Sequence, residues 1–553
     1  MNFIPDIENA YHKYIVSKNT ESMKEYCFPK KFTLQTQQLF LSDYLSDKNS
    51  AWNIDDNIRG ILIYHQIGSG KTCTSISIAE KLKKKYKILV ILPAALINNF
   101  VDELLSECTG DEYISKNDRK NIHDKKILDK AYKKISKWYT ICSYHKFINL
   151  IDNNQLKLTS NTILIIDEIQ NMISLTGLFY KKLKNFIKQY NKKLKVILLT
   201  ATPIFDKPIE AALTLNLLTI KDIFDIDTFN QQYIIKSSKK YSMINKEKFK
   251  QTIKYLISYY CGAPPQTYPI SNFKIVKCCM NNFQNNTYNK LYNQSTNKIL
   301  NLDIMTNQQN FFIIPRILMN VTFPNQLLGD EGFNSFTGNI LKMQNIQNYS
   351  IKFYTILKKI NRSEGPCFMY SNFRGIGGID SFIRFIEYHG WKKYTSEISS
   401  KKCYAIWSSE ENEEYKKEVK KIFNNKSNIN GTNIKLIIGS PSIKEGITLL
   451  RVRQVHILEP YWNISRIMQI MGRAIRFCSH KDVIKSKRFV NVYLYLSTSP
   501  NGKTIDQYIW SIAKRKQQLI EQFEHCMKEA AIDCKLFYKR NIMMTNKHIK
   551  CIK

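Results

Sequence analysis

Gly60-Ile61-Leu62-Ile63-Tyr64-His65-Gln66-Ile67-Gly68-Ser69-Gly70-Lys71-Thr72 carries an unbroken apolar run into a glycine-bearing turn and then a helical pattern. Such a run, without polar alternation, reads as a strand buried on both faces of a parallel sheet. Gly68 and Gly70 let the turn wrap a phosphate, and a helix beginning near Lys71 offers its free N–H groups to that phosphate. In this pattern Gly68, Ser69, Gly70 and Lys71 bind the nucleotide, with Lys71 reaching the β- and γ-phosphates, and Thr72 ligates the metal; the cofactors implied are ATP and Mg²⁺. The loop pattern asks for glycine where His65 stands.

Further runs of the same kind follow at Lys87-Leu92, Thr162-Ile166, Leu194-Leu199, Pro366-Tyr370, Lys435-Ile438 and Gln454-Leu458. Helical stretches such as Thr74-Lys84 and Leu96-Leu105 separate several of them. The alternation predicts an α/β fold of βαβ units, with chemistry at the carboxyl ends of the strands. The runs fall into two groups, which predicts a first lobe over 1–220, with a helical insertion at about 111–137, and a second lobe over 351–500. A mainly helical bridge is expected over 221–350 and a helical extension over 501–553.

The run Thr162-Ile166 ends in Asp167-Glu168, and an acidic pair at the end of a buried strand is costly unless a metal or a reaction occupies it. Asp167 is expected to hold Mg²⁺ and Glu168 to orient and deprotonate an attacking water. Thr200 and Thr202, at the end of the next run, can hydrogen-bond this pair and sense the γ-phosphate. In the second group, Ser440 to Gly446 forms a turn suited to a nucleic-acid backbone. Gln469, Arg473 and Arg476 share one face of a helix through i+4 and i+3 spacing, with Ile470, Met471 and Ile475 elsewhere on its surface. Arginine there neutralises charge developing on a transferred phosphoryl group.

The net charge of +37, from 83 Lys+Arg against 46 Asp+Glu, favours a polyanionic partner. A composition rich in Asn, Lys and Ile would supply solvated lysines without any ligand, so the motifs decide. Thirteen dispersed cysteines form no CxxC pair and no zinc-ligand set, which predicts buried or free thiols in a reducing compartment and no zinc. The amino-terminal stretch lacks a secretory pattern, and the apolar runs are far shorter than a membrane span. A soluble intracellular protein with no membrane partner is expected.

Assembled in order, these residues resemble the superfamily 2 helicase-type ATPases: Lys71-Thr72 matches motif I, Asp167-Glu168 motif II, Thr200-Ala201-Thr202 motif III, Ser440–Gly446 motif V and Gln469–Arg476 motif VI. Leu34–Phe40 resembles the segment whose glutamine contacts adenine, a role carried to Gln38 with Gln37 as the alternative. Pro93 stands in a stretch like motif Ia, and Tyr370-Ser371-Asn372-Phe373 resembles motif IV. Stretches 257–269, 434–447, 459–482, 504–523 and 528–534 look like the helicase-like ATPases of large cytoplasmic DNA viruses. Those include the poxvirus early transcription factor small subunit and nucleoside triphosphate phosphohydrolase I. The motif VI block and Trp462-Asn463 also look like Swi/Snf-type translocases. The resemblance implies two tandem RecA-like parallel-sheet lobes. It also implies coupling through Gln170, Thr200, Thr202 and Gly446. Gln170 departs from the histidine or aspartate of many relatives.

The function implied is a nucleic-acid-dependent ATPase that translocates in viral early transcription, at initiation or termination. DNA is the favoured track, with RNA the alternative. A viral RNA polymerase and a second transcription-factor subunit are the implied partners, in the host cytoplasm or packaged in the virion. A strand-separating RNA or DNA helicase is the competing expectation. A non-catalytic factor using ATP as a ligand is the third, and intact Lys71, Glu168, Arg473 and Arg476 argue against it.

Overall fold

The computed structural model describes residues 6–16, 23–122, 124–174, 177–191, 193–238, 240–295, 312–397, 400–444, 447–545 and 548–552. Two compact units divide the chain, Met1–Thr267 with Gln518–Lys553, and Tyr268–Gln517.

The first unit is built on β1 (Gly60–His65), β2 (Lys87–Leu92), β3 (Tyr139–Ser143), β4 (Thr162–Ile166) and β5 (Leu194–Thr200). A hairpin, β6 (Ile234–Ser237) with β7 (Lys240–Met243), precedes β8 (Ile257–Tyr260). The main sheet is parallel throughout, in the order β3-β2-β4-β5-β1-β8. Because side chains alternate along a strand, each apolar run feeds two cores. Leu62, Leu89, Leu164 and Val196 pack on one face, and Ile61, Ile88, Ile163 and Ile197 on the other. Each such side chain contributes about 1.5–3 kcal/mol on burial, which is why the runs lack polar alternation.

The second unit contains β9 (Ile270–Cys279), β10 (Cys367–Tyr370), β11 (Lys392–Lys393), β12 (Ser400–Trp407), β13 (Ile434–Gly439), β14 (Gln454–Ile457) and β15 (Phe489–Thr498). Its sheet is also parallel, in the order β11-β12-β13-β10-β14-β15-β9. Phe368, Ile437 and Val455 fill one face; Met369, Leu436 and Tyr493 fill the other.

Stretch 221–350, expected to be a mainly helical bridge, holds helices such as Asn282–Ser295 and Ile313–Asn320, but it also supplies strands to both sheets. β8 extends the first sheet and β9 extends the second, the latter paired with β15 from Ile270↔Phe489 to Cys279↔Thr498. Strand β9 is an edge strand exposed along most of its length, so it lacks the continuous apolar text of a central strand. The stretch 111–137 holds a helix, Lys125–Ser136, and is anchored, with Tyr113, Ile114, Ala131 and Ile135 buried in the first unit. From Gln518 the extension belongs to the first unit, where Ile532 N donates to Ile257 O at 2.8 Å.

The cysteines correct the expectation of buried or free thiols only in part: Cys142, Cys261, Cys278, Cys279, Cys367 and Cys526 are free. Cys73–Cys108 and Cys534–Cys551 are disulfides, with sequence separations of 35 and 17. Such spacings carry no sequence signature, so proximity appears only after folding. Among the described residues no helix is long and apolar enough to cross a membrane.

Candidate active site

Three neighbouring strands of the first sheet, in the order β4-β5-β1, end in the segments singled out from sequence. Strand β1 delivers the phosphate loop. Gly68 and Gly70 take φ of 83° and 77°, left-handed values that favour glycine. A Cβ on Gly70 would lie 2.9 Å from Gln38 Nε2 and would push that side chain aside. The helix Lys71–Leu82 starts directly after it. Lys71 Nζ rests on the loop's own His65 O at 3.1 Å. Ser69 Oγ is buried with no hydrogen-bond partner among the described residues, which suits a loop shaped for the oxygens of an incoming phosphate.

The glutamines of the helix Thr36–Ser46 grip this loop. Gln37 Nε2 donates to Ser69 O at 3.1 Å and Gln38 Nε2 donates to Gly70 O at 3.3 Å. Gln38 Oε1 accepts from Gln35 N at 2.8 Å, so both ends of its amide are engaged by protein. An adenine contact by Gln38 requires it to release one of these.

His65, where the loop pattern asks for glycine, has a side chain with a distinct job. It is fully buried, and its Nε2 lies 2.9 Å from Ser258 Oγ on β8. Ser258 Oγ in turn donates to Asp533 of the carboxyl-terminal segment, and Tyr259 N donates to Asp533 Oδ1 at 2.8 Å. Burial pushes the His65 pKa down to about 3 and the Asp533 pKa up to about 7. The imidazole is therefore neutral at physiological pH. Ser258 and Asp533 were not singled out from sequence, because nothing local marks residues joined across 275 positions.

Strand β4 ends in the acidic pair. Asp167 is buried, and its Oδ1 accepts from Glu168 N at 2.9 Å. Glu168 sits in left-handed backbone at φ 52° and ψ 48°. Gln170 Nε2 donates to Glu168 Oε2 at 2.7 Å, and Gln170 Oε1 accepts from Thr200 Oγ1 at 2.7 Å. Thr200 Oγ1 also accepts from Thr202 N at 2.9 Å. The hydroxyl expected to bond the acidic pair thus reaches it through Gln170. Tyr144, missed in the sequence, donates its hydroxyl to the backbone carbonyls of Asp167 and Glu168.

In the second unit the helix Ile464–Ala474 carries Gln469 and Arg473. Its start is fixed by Asn463, whose side chain accepts from Arg466 N at 3.2 Å. Arg473 is buried, with Nη1 3.5 Å from Ile447 O. The single stripe predicted for Gln469, Arg473 and Arg476 is corrected at its last member. Ile475 leaves helical geometry at φ −99° and ψ 87°, and Arg476 lies beyond it. There Arg476 Nε donates back to Gly472 O at 2.8 Å and its Nη1 to Thr448 Oγ1, capping the helix end. Ile470 and Met471, expected on the helix surface, are core residues instead. Strand β13 ends at Gly439, and Ser440 Oγ lies 3.0 Å from Ser442 Oγ in the following turn. Gly446 lies outside the described residues.

Two family models match the chain: Type III restriction enzyme, res subunit, over residues 17–205, and Helicase conserved C-terminal domain over residues 353–478. The chain is 42% identical over 566 residues to a protein of Acanthamoeba polyphaga mimivirus named "Putative ATP-dependent RNA helicase", covering 100% of this chain and 97% of that protein. The chain belongs to the helicase-type ATPases of superfamily 2. A further relative of this superfamily 2 ATPase is "Termination factor NPH-I homolog" of African swine fever virus. The two are 24% identical over 607 residues, which is 96% of this chain and 83% of the relative. The solved Sulfolobus solfataricus SWI2/SNF2 ATPase core in complex with dsDNA covers 88% of this chain and 92% of that one, at 17% identity and a TM-score of 0.30, too low to add to the assignment. The resemblance read from the ordered motifs is borne out, and with it the enzyme class, ATP hydrolysis.

Proposed function

We propose that this superfamily 2 ATPase couples ATP hydrolysis to translocation along nucleic acid, DNA in preference to RNA, during transcription by a large DNA virus. The observation that carries the proposal is the delivery of three segments by the adjacent strands β4, β5 and β1, with those after β4 and β5 tied together by the chain Glu168–Gln170–Thr200–Thr202. A chain of hydrogen bonds from the catalytic carboxylate to the end of the next strand lets the state of the γ-phosphate be felt in the backbone that follows. The charge of +37 supports a polyanionic track, and the termination-factor relative supports a place in transcription. A viral RNA polymerase and a second factor subunit are the partners this reading implies, in the host cytoplasm or the virion.

The residue roles are those the ordered motifs imply. Gly68, Ser69, Gly70 and Lys71 bind the phosphates, and Thr72 with Asp167 are the residues to hold Mg²⁺. The metal, when bound, neutralises charge on the β- and γ-phosphate oxygens. Glu168 orients the attacking water and takes its proton. Arg473, with Gln469 and Arg476 beside it in sequence, is assigned to charge developing on the transferred phosphoryl group.

Strand separation is the second reading, favoured by the name of the mimivirus relative. A triplex-displacement assay run beside a fluorescent duplex-unwinding assay separates the two. Translocation predicts ATP-dependent loss of the third strand with the duplex left intact. Unwound duplex would install the second reading, and no ATP-dependent displacement of either would sink both.

A further inference from the structure

Strands β10 and β14 are parallel neighbours whose connections leave in opposite directions, β10 toward β12 and β13, β14 toward β15. Such a switch point opens a crevice at the carboxyl ends of the two strands, where open α/β sheets bind ligands. Here the crevice lies between the loop after β10, Ser371–Gly378, and the loop after β14, Leu458–Asn463. Arg316, from the helix Ile313–Asn320, sits against both loops. Its guanidinium carbon is 4.9 Å from the centroid of the Phe373 ring and 5.9 Å from that of Tyr461.

Arg316 is only 4% exposed, yet its Nε and Nη2 are enclosed and have no hydrogen-bond partner among the described residues. Buried guanidinium donors without acceptors are rare and need a reason. The nearby carboxylate does not supply one. Glu459 is itself buried, and its oxygens accept from Ser371 Oγ, from Asn372 N and Nδ2, and from Asn320 Nδ2. Its charge is felt across the cluster, but its acceptors are spent on neutral donors. The other cations nearby are differently placed: Lys352 pairs with Asp506 at 2.7 Å, and Arg374 pairs with Asp380 and Glu410. A second guanidinium, Arg466, lies 4.7 Å from the Tyr461 ring centroid. In the same loop Asn463 Nδ2 is also buried without a hydrogen-bond partner among the described residues.

A planar fork held against aromatic faces, with its donors unspent, is preorganised for a phosphate oxyanion. We propose that Arg316 binds a backbone phosphate of the nucleic acid at the switch point of the second sheet. The assignment rests on the nucleic-acid reading above. None of the sequence motifs contains Arg316.

Equilibrium binding of the full chain to a labelled DNA duplex of mixed sequence, and to its RNA counterpart, tests this across a salt series. Arg316→Met keeps the aliphatic stem and removes the fork. It should weaken binding about tenfold at fixed salt, equally for unrelated sequences, and make the log–log salt slope shallower by about one. Arg316→Lys should keep the slope and bind with intermediate affinity. The KM for ATP without nucleic acid should be unchanged in both. Wild-type affinity and slope in Arg316→Met overturn the assignment, as does a raised ATP KM with an unchanged slope, which would give the oxyanion to the nucleotide. If Arg316→Met does not fold, wild-type affinity in Arg316→Lys overturns it. Wild-type protein that binds neither nucleic acid overturns the functional reading itself, whereas binding by wild type with unaltered variants overturns only Arg316.

Discussion

Arg473 and Glu168 show how far single positions constrain the chemistry. Glu168 holds a left-handed backbone that costs a non-glycine residue about 1–2 kcal/mol. Gln170 and the carbonyl contacts of Tyr144 keep it there, so its carboxylate is set before any substrate arrives. Arg473 is buried at the end of its helix, and its assigned role is confined to the transition state. Arg473→Ala should therefore lower kcat by about a thousandfold while shifting the KM for ATP far less. Steady-state ATPase kinetics check this, and equal losses in kcat and in affinity would reduce Arg473 to a nucleotide-binding residue. The acidic pair and the phosphate loop were readable because their chemistry restricts residue type at fixed spacing. His65 was visible only as a departure, since its partners Ser258 and Asp533 are brought to it by folding.

At the scale of elements, the carboxyl-terminal segment braces the phosphate loop through Asp533, Ser258 and His65. Folded, Asp533 holds its proton up to about pH 7, against 3.8 in its unperturbed state, because burial opposes its charge. Between those values the folded chain binds more protons than the unfolded one, so this group's contribution is present at low pH and lost as pH rises. Asp533→Asn removes that loss. The difference in melting temperature between variant and wild type should shift in the variant's favour between about pH 4 and pH 8, by several degrees. A difference that stays constant with pH would contradict the buried, protonated carboxyl. Strands β1, β2, β4, β5, β10, β13 and β14 were legible as apolar runs because both of their faces are covered. The edge strand β9 was not, because most of its length is exposed. The helix Ile464–Ala474 was recognised, but its end was not. A cap made by Arg476 on Gly472 O leaves no signature in a pattern of arginines.

For the molecule as a whole, two parallel sheets with ordered motifs were expected and are present. The division of the chain was harder to read, because residues after Gln518 return to the first unit and no local composition marks that return. The central claim is that nucleic acid drives the ATPase. It is tested most directly by the ATP hydrolysis rate of the full chain, at one fixed salt, against single- and double-stranded DNA and RNA, with Lys71→Ala alongside. Fixed salt matters because phosphate binding by so basic a chain falls steeply with ionic strength. The account predicts at least about tenfold stimulation by DNA, weaker stimulation by RNA, and no turnover in Lys71→Ala on any of them. A rate indifferent to every nucleic acid, or one that survives in Lys71→Ala, would contradict it.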